Sequence, residues 1–412
     1  MELKDLESQI CIIGAGPAGA ILSLFLSKEK IPHIIIDKAI FPRDKICGDG
    51  YTAEVLRVLR EYSEELYLEF INADWTEASL GFYLQMANKN TVHYDLREYL
   101  GGIGQTYIAK REIFDNWLFS KLDPNYATIF TGCSANSITR INGKVEIECE
   151  KDKSNFKITT NLLIGADGER SIVRKNFHPN GITKIREHHY AGIKAYYKGV
   201  SRKFEDNPLE FYQPSFDYRG YFWIFHLPNG EANVGLGILS SDVSAQKIKL
   251  RSVFDDYITN HPEVKERFKN AEAISKVEGW GIPLNSDAND YAGDQYLLIG
   301  DSGKFAEPFT GKGIGIAMYT AFLSIPTIKK AIAKNDFTAN TLNEFEKSME
   351  LKYRSEWNRL VLAQNNFNKR WIFSPFVSLI DLKPVKKMIG EKIARKHLHF
   401  INKPAVAREK EN

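Results

Sequence analysis

Gly14-Ala15-Gly16-Pro17-Ala18-Gly19 stands directly after the apolar run Ile10-Cys11-Ile12-Ile13. The run reads as a buried strand, residues 18–28 as a helix, and residues 34–36 as a second strand ending at Asp37. That is a β-α-β unit of the size that binds a dinucleotide. Gly14 permits the tight strand-to-helix turn, Gly16 lets the backbone approach a pyrophosphate, and Gly19 lets helix and strand pack closely. Pro17 and Ala18 complete the turn, where N–H groups at the helix start attract the anion. Asp37, followed by Lys38, stands where a carboxylate accepts from the adenosine ribose hydroxyls.

Two further glycine segments follow apolar runs. Gly165-Ala166-Asp167-Gly168 ends the run at 161–164, and Gly300-Asp301-Ser302-Gly303 ends the run at 296–299. The last continues into Pro308-Phe309-Thr310-Gly311-Lys312-Gly313-Ile314 and a helix over 313–333. The three together point to a chain folded around one FAD. Asp301 is placed to accept from a ribityl hydroxyl, and the N–H groups around Pro308, Gly311, Gly313 and Ile314 to face the flavin N1/O2 side. Asp167 supports the middle of the cofactor or closes a turn. Arg111 pairs with FAD phosphate or ribose oxygens, with Asp115 holding its helix, or both belong to a solvated salt-bridge helix. A second glycine fingerprint is lacking, so NAD(P)H or another external electron donor must reach the flavin without its own Rossmann domain.

The 412 residues are 43% hydrophobic and 12% aromatic, enough for two or three domains. A net charge of +3 gives no field for nucleic acid, and no nucleic-acid motif is present. Cys11, Cys47, Cys133 and Cys149 form no CxxC pair, a reducing-compartment pattern. No run has the length of a spanning helix. The expected location is the cytoplasm, with contact at the cytoplasmic face of a membrane left open.

The expected fold class is α/β: a Rossmann-like FAD-binding domain built from discontinuous segments, a β-sheet-rich substrate domain and a helical C-terminal region. The FAD domain takes 1–74, 107–186 and 286–335, and the substrate domain takes an excursion at 75–106 and then 187–285. Residues 336–412 are helical. Residues 51–68 and 111–122 read as helices, and 129–160 as a small meander around the Asn142-Gly143 turn, inserted before the strand at 161–164. Residues 371–380 are apolar but broken by Pro375, and 381–412 carry nine Lys/Arg against four Asp/Glu. They dock on an anionic membrane or form a buried terminal helix with a solvated tail.

Phe41-Pro42-Arg43-Asp44-Lys45-Ile46-Cys47-Gly48-Asp49-Gly50 resembles the Pro…Cys-Gly-x-Gly segment of the FAD-dependent geranylgeranyl reductase family, within the p-hydroxybenzoate hydroxylase-like fold group. Asp167-Gly168 and Gly300-Asp301 match that group's downstream motifs. Tyr221-Phe222-Trp223-Ile224-Phe225 resembles the family's Y-x-W-x-F-P strand, although His226 and Leu227 intervene before Pro228. The resemblance covers about residues 8 to 330. It implies reduction of double bonds in an isoprenoid or other lipophilic, prenylated substrate by hydride from flavin N5, with a redox partner as a further option. The Cys47-Gly48 pair differs from the Gly-Glu of halogenases. An FAD-dependent monooxygenase acting on an aromatic or polyene compound is the alternative.

An isolated alkene is a poor electrophile, so a proton donor must act with the hydride. Cys47 is the catalytic candidate: it donates a proton, positions substrate or fills space. Gly48 and Asp49 beside it, and Tyr221, Trp223 and Phe225 alternating on one strand, are the substrate-binding candidates, the three aromatics being otherwise a packed sheet face. Lys45 and His226 are weaker polar candidates, His226 capping the strand end or facing water. Glu307 contacts the flavin loop or is an exposed turn carboxylate. The carboxylate spacing gives no metal site.

Overall fold

The computed structural model describes residues 4–178, 186–285 and 290–402. The chain forms two compact units, one from Met1–Asp44, Glu112–Ile185 and Pro283–Leu360, the other from Lys45–Arg111, Arg186–Ile282 and Val361–Asn412.

In the first unit the strands run in the order Tyr296–Leu298, Ser154–Gly165, Leu6–Ile13, His33–Asp37, Ala127–Thr131, all parallel. Their apolar runs are continuous because both faces are covered, and Ile10, Cys11 and Ile12 are fully buried. The helices Pro17–Lys28 and Ile314–Lys334 pack on each other. Register aligns Ile13 with Gly165 and Ile36, and Gly165 with Leu298. All three glycine segments therefore leave the sheet at its carboxyl edge, where ligands bind in open α/β sheets.

Asn142 and Gly143 (φ 51° and 74°) turn the ribbon Cys133–Ile141/Lys144–Lys151. The expected separate strand at 161–164 is instead the end of one 12-residue strand, Ser154–Gly165. Its first half closes the antiparallel ribbon and its length pairs with Leu6–Ile13. Nothing between 154 and 165 breaks a strand, so one continues.

The second unit holds a mixed sheet in the order Glu272–Ala273, His189–Lys198, Glu231–Leu239, Gly220–His226, Leu209–Tyr212, Gly81–Gln85, Thr91–Asp95. Alternation decides its faces. Phe222 and Ile224 point into a core with Val234, Leu236, Phe254 and Tyr257, and Trp223 and Phe225 belong to a separate cluster with Tyr196, Ile108 and Leu227.

The unit boundaries differ from those expected. Residues 45–74 and 361–402 belong with the second unit. Gly50–Tyr51 pairs with Thr106–Ile108, and buried Arg57 donates to the carbonyl of Phe400 at 2.7 Å. The expected helix at 51–68 is two, Ala53–Tyr62 and Glu64–Ile71, because Ser63 turns extended and its Oγ accepts from Leu66 N at 3.0 Å. Pro375 does not break its segment. The helix Arg370–Ile380 runs through it.

Candidate functional site

The turn after Leu6–Ile13 is built as its glycines require. Gly14 has φ 104°, and a methyl there would lie 2.3 Å from the carbonyl oxygen of Ala166. A methyl on Gly19 would lie 1.8 Å from the Gly14 carbonyl oxygen. Gly16 begins the helix with no side-chain cap, and Pro17 occupies the first turn with Ala18 buried behind it. Uncapped N–H groups at the start of a 12-residue helix suit a pyrophosphate.

Asp37 clamps this turn. Its Oδ2 accepts from Ala15 N at 2.7 Å and its Oδ1 from Ala39 N at 2.8 Å, while Lys38 is exposed. Each carboxylate oxygen retains a second lone pair for a hydroxyl.

Arg43 was not singled out by its sequence. Its Nη1 lies 2.7 Å from Asp115 Oδ2, whose side chain is fully buried, and its Nη2 lies 3.4 Å from where a Gly16 methyl would be. Phe41 stacks on Phe119 at 4.3 Å, holding the same loop to the helix that carries Asp115. A guanidinium over the glycine turn is placed to neutralise phosphate. That was the role expected of Arg111, and Asp115 holds Arg43 in place rather than only its own helix.

Asp167 accepts through Oδ2 from Ile172 N at 2.7 Å and Val173 N at 3.3 Å. Its buried Oδ1 has no hydrogen-bond partner among the described residues, and burial raises its pKa. Asp301 follows Gly300 (φ 62°), and its Oδ1 is 3.5 Å from where a Gly313 methyl would lie. The 21-residue helix Ile314–Lys334 then starts at Gly313 without a side-chain cap or an acidic residue in its first turn. The loop through Pro308 and Gly311 (φ 73°) is closed by Glu307, which is 3% exposed and not an exposed turn residue. Glu307 accepts from Phe309 N at 2.9 Å and Thr310 N at 2.7 Å, and its own N–H donates to the Lys312 carbonyl. Glu307→Ala is expected to leave these N–H groups unpaired, to cost about 1–3 kcal/mol, and to weaken FAD binding roughly tenfold. Thermal melting and flavin titration would measure both effects.

A partnerless buried carboxylate oxygen, a turn that excludes any Cβ, a poised guanidinium and two uncapped helix starts fit a dinucleotide flavin.

The second unit builds a different site. Asp49 is fully buried, with φ 64°, a conformation that costs a non-glycine residue about 1 kcal/mol or more. Its Oδ2 accepts from Tyr196 Oη at 2.6 Å and Asn233 Nδ2 at 2.8 Å, and its Oδ1 has no hydrogen-bond partner among the described residues. Asn233 Nδ2 also donates to the Cys47 carbonyl at 2.7 Å, and Asn233 Oδ1 accepts from Trp223 Nε1 at 2.9 Å. One amide thus ties the Cys47 loop to the aromatic strand. Lys194, 2% exposed, lies with its Nζ 3.6 Å from the Tyr196 ring centre.

Burial pushes the Asp49 carboxyl up to about 6, against the pull of Lys194, Tyr196, Asn233 and Arg111. Burial likewise raises the Cys47 thiol, while Arg111 and the backbone N–H of Asp49 oppose the rise. Arg111 is thus a neighbour of Cys47. Because the folded-state pKa of Asp49 lies above its ordinary value of 3.8, its stabilising contribution is full below that value and is lost as pH rises through 6. Wild type should lose about 1–1.5 kcal/mol relative to Asp49→Asn between about pH 5 and 8. Denaturant unfolding of both proteins at the two pH values checks the sign and size.

Tyr221, Trp223 and Phe225 do share a face, with ring centres 5.9 and 6.2 Å apart in sequence. Gly48 approaches it: a methyl there would lie 3.5 Å from the Phe225 ring and 3.9 Å from Trp223. The Trp223 indole lies across Gly235, where a methyl would come within 2.0 Å of the ring. Lys45 sits 3.3 Å from the Trp280 ring centre. His226 neither caps its strand nor faces water. It is buried 3.0 Å from Arg267 Nη2, and Arg267 pairs with Glu210.

Residues 7–328 match the model of a family described as FAD binding domain. The chain belongs to that family. This FAD-binding protein is 25% identical over 355 residues to a digeranylgeranylglycerophospholipid reductase of Methanococcus vannielii, covering 86% of this chain and 85% of the relative. Its fold is similar to that of a geranylgeranyl bacteriochlorophyll reductase-like protein from Thermoplasma acidophilum, with TM-score 0.80, 20% identity and 99% of both chains covered. It is also similar to that of the flavin-dependent brominase Bmp2, with TM-score 0.72, 18% identity, and 94% of this chain and 93% of the other covered. It is an FAD-dependent oxidoreductase similar in sequence to proteins named digeranylgeranylglycerophospholipid reductase.

The structure of this flavoprotein gathers Gly14, Gly16, Gly19, Asp37, Asp167, Asp301 and Gly313 in one unit, and Cys47, Gly48, Asp49, Arg111, Trp223 and Phe225 in the other. Sequence reasoning missed Arg43, Lys194, Tyr196 and Asn233. A signal for Asn233 existed. Asn233-x-Gly235-x-Gly237 alternates in step with Tyr221-x-Trp223-x-Phe225, and the strands pair Phe225 with Asn233 and Trp223 with Gly235.

Proposed function

We propose that this protein reduces carbon–carbon double bonds in an isoprenoid lipid, with Cys47 as proton donor. The observation that carries the reading is the Cys47-Gly48 loop, tied through Asn233 to Trp223, with Gly48 against Trp223 and Phe225 and with Arg111 beside the thiol. FAD, when bound and reduced, supplies the hydride. Cys47 would give its proton to the alkene carbon that does not receive the hydride. The resulting thiolate is stabilised by the Arg111 guanidinium and the Asp49 N–H and regains its proton from water. Trp223, Phe225 and Tyr221 offer an apolar wall that accepts a prenyl chain, and Gly48 leaves room above it. Arg43 and the N–H groups after Gly14 hold the pyrophosphate, Asp37 the adenosine ribose and Asp301 a ribityl hydroxyl. An external donor, NAD(P)H or a redox protein, restores the reduced cofactor.

The names of the relatives support a prenylated substrate. The test is anaerobic: the prereduced protein is mixed with unsaturated archaeal-type ether lipids, prenylated quinones and aromatic acids, and flavin reoxidation is followed with product mass. Reoxidation with the mass of two added hydrogens per double bond is expected for a prenylated compound. Product that forms only once oxygen is admitted, carrying one added oxygen atom, would overturn the reading for the monooxygenase alternative.

A further inference from the structure

We infer that the outer face of the helices Arg370–Ile380 and Lys383–Asn402 docks on the surface of an anionic lipid bilayer. Five large apolar side chains are exposed here: Trp371 (77%), Phe376 (53%), Leu379 (54%), Leu382 (53%) and Met388 (62%). At about 100° per residue, Trp371, Pro375, Phe376 and Leu379 fall on one side of the first helix, and Phe373, Ser374, Val377 and Ser378 on the other. The inner side is fastened to the second unit. Ser374 Oγ accepts from Asn88 Nδ2 at 2.6 Å and Asn90 Nδ2 at 3.0 Å, Ser378 Oγ accepts from Asn90 Nδ2 at 2.9 Å, and Tyr94 Oη donates to the Ile380 carbonyl at 3.1 Å. The next helix is held by His397, 3.1 Å from the Gly104 carbonyl, and by Gly390 against Leu96 and Tyr94. The outward orientation of the apolar stripe is therefore fixed by its anchoring, and a contiguous stripe of this kind marks an interaction surface.

Charge selects the occupant. Residues 369–396 carry eight Lys/Arg and two Asp/Glu, and Lys383, Lys387 and Lys392 are exposed. Against a second copy of this chain the same charges would repel. Against anionic headgroups they attract while the Trp371 side enters the interface. The 11-residue first helix lies on such a surface, since no helix among the described residues is long and apolar enough to cross a membrane. The inference does not depend on which bond the protein reduces.

The FAD-loaded full chain is tested by co-sedimentation with phosphatidylcholine vesicles, with and without phosphatidylglycerol. Binding is expected with the anionic lipid and is expected to fall at least tenfold without it or in high salt. The combined variant Trp371→Ser/Phe376→Ser/Leu379→Ser should lose at least tenfold in vesicle affinity, as should Lys383→Gln/Lys387→Gln/Lys392→Gln. Flavin content and melting temperature confirm that both variants fold. Wild type that ignores anionic vesicles, variants that bind as well as wild type, or a stable dimer that both variants convert to monomer would each overturn the inference.

Discussion

Gly19→Ala is expected to abolish retention of FAD. The added methyl would stand 1.8 Å from the Gly14 carbonyl oxygen and 3.3 Å from Ala166 Cβ. The first neighbour is backbone and cannot swing aside, so the turn must open. Overpacking of this kind costs about 3 kcal/mol or more, which corresponds to roughly a hundredfold loss of affinity if it falls on the bound state. Gly168→Ala is the control. Gly168 has φ 78° but nothing within 4 Å of the new methyl, so only about 1–2 kcal/mol of backbone strain is expected. Flavin titration of the apoproteins separates the two. Full flavin affinity in Gly19→Ala would mean that the cofactor lies elsewhere.

Cys47→Ala is expected to lower turnover of the alkene by about 10²- to 10⁴-fold, the usual worth of a positioned acid. Chemical reduction of the bound flavin should proceed at the wild-type rate, because that step takes no proton from Cys47. Cys47→Ser keeps the size but offers a much weaker acid, so it should recover binding without recovering rate. The wild-type rate should fall at alkaline pH, above the ordinary thiol range, since burial moves the thiol upward. Unchanged product formation in Cys47→Ala would reduce Cys47 to a wall residue and move the search for the proton donor to its neighbours.

The flavin-holding half of the fold was legible because its signals are local. Each glycine segment follows its own apolar run, and the turn it makes depends on residues a few positions away. What joins elements distant in the chain was not legible. Arg43 and Asp115 are 72 positions apart, and neither sits in a pattern that announces the other. Asp49, Tyr196 and Asn233 come from three separate stretches, and Tyr196 meets Asn233 only when His189–Lys198 pairs with Glu231–Leu239. His226 was misread because an exposed strand end and a buried ion network look alike until Glu210 and Arg267 arrive. Pro375 misled in another way. It is the sixth residue of its helix and removes the bond to the Trp371 carbonyl, yet the helix continues to Ile380, held by the Ser374, Ser378 and Ile380 contacts to Asn88, Asn90 and Tyr94.

The order of the parallel strands has a consequence for how the protein is made. The turn at Gly14 is covered by Ala166, and Gly165 is flanked by Leu298. A ribosome adding roughly 5–20 residues per second would deliver the segment at Gly300 on the order of 15–60 s after Gly14. Ile10 to Ile13 gain their partners at Ile34–Ile36 and Leu162–Gly165 before then, while the far edge of Leu163–Gly165 waits for Tyr296–Leu298. The newborn chain therefore carries one apolar strand edge, at Leu163–Gly165, that stays open to wrong pairing until the late strand arrives.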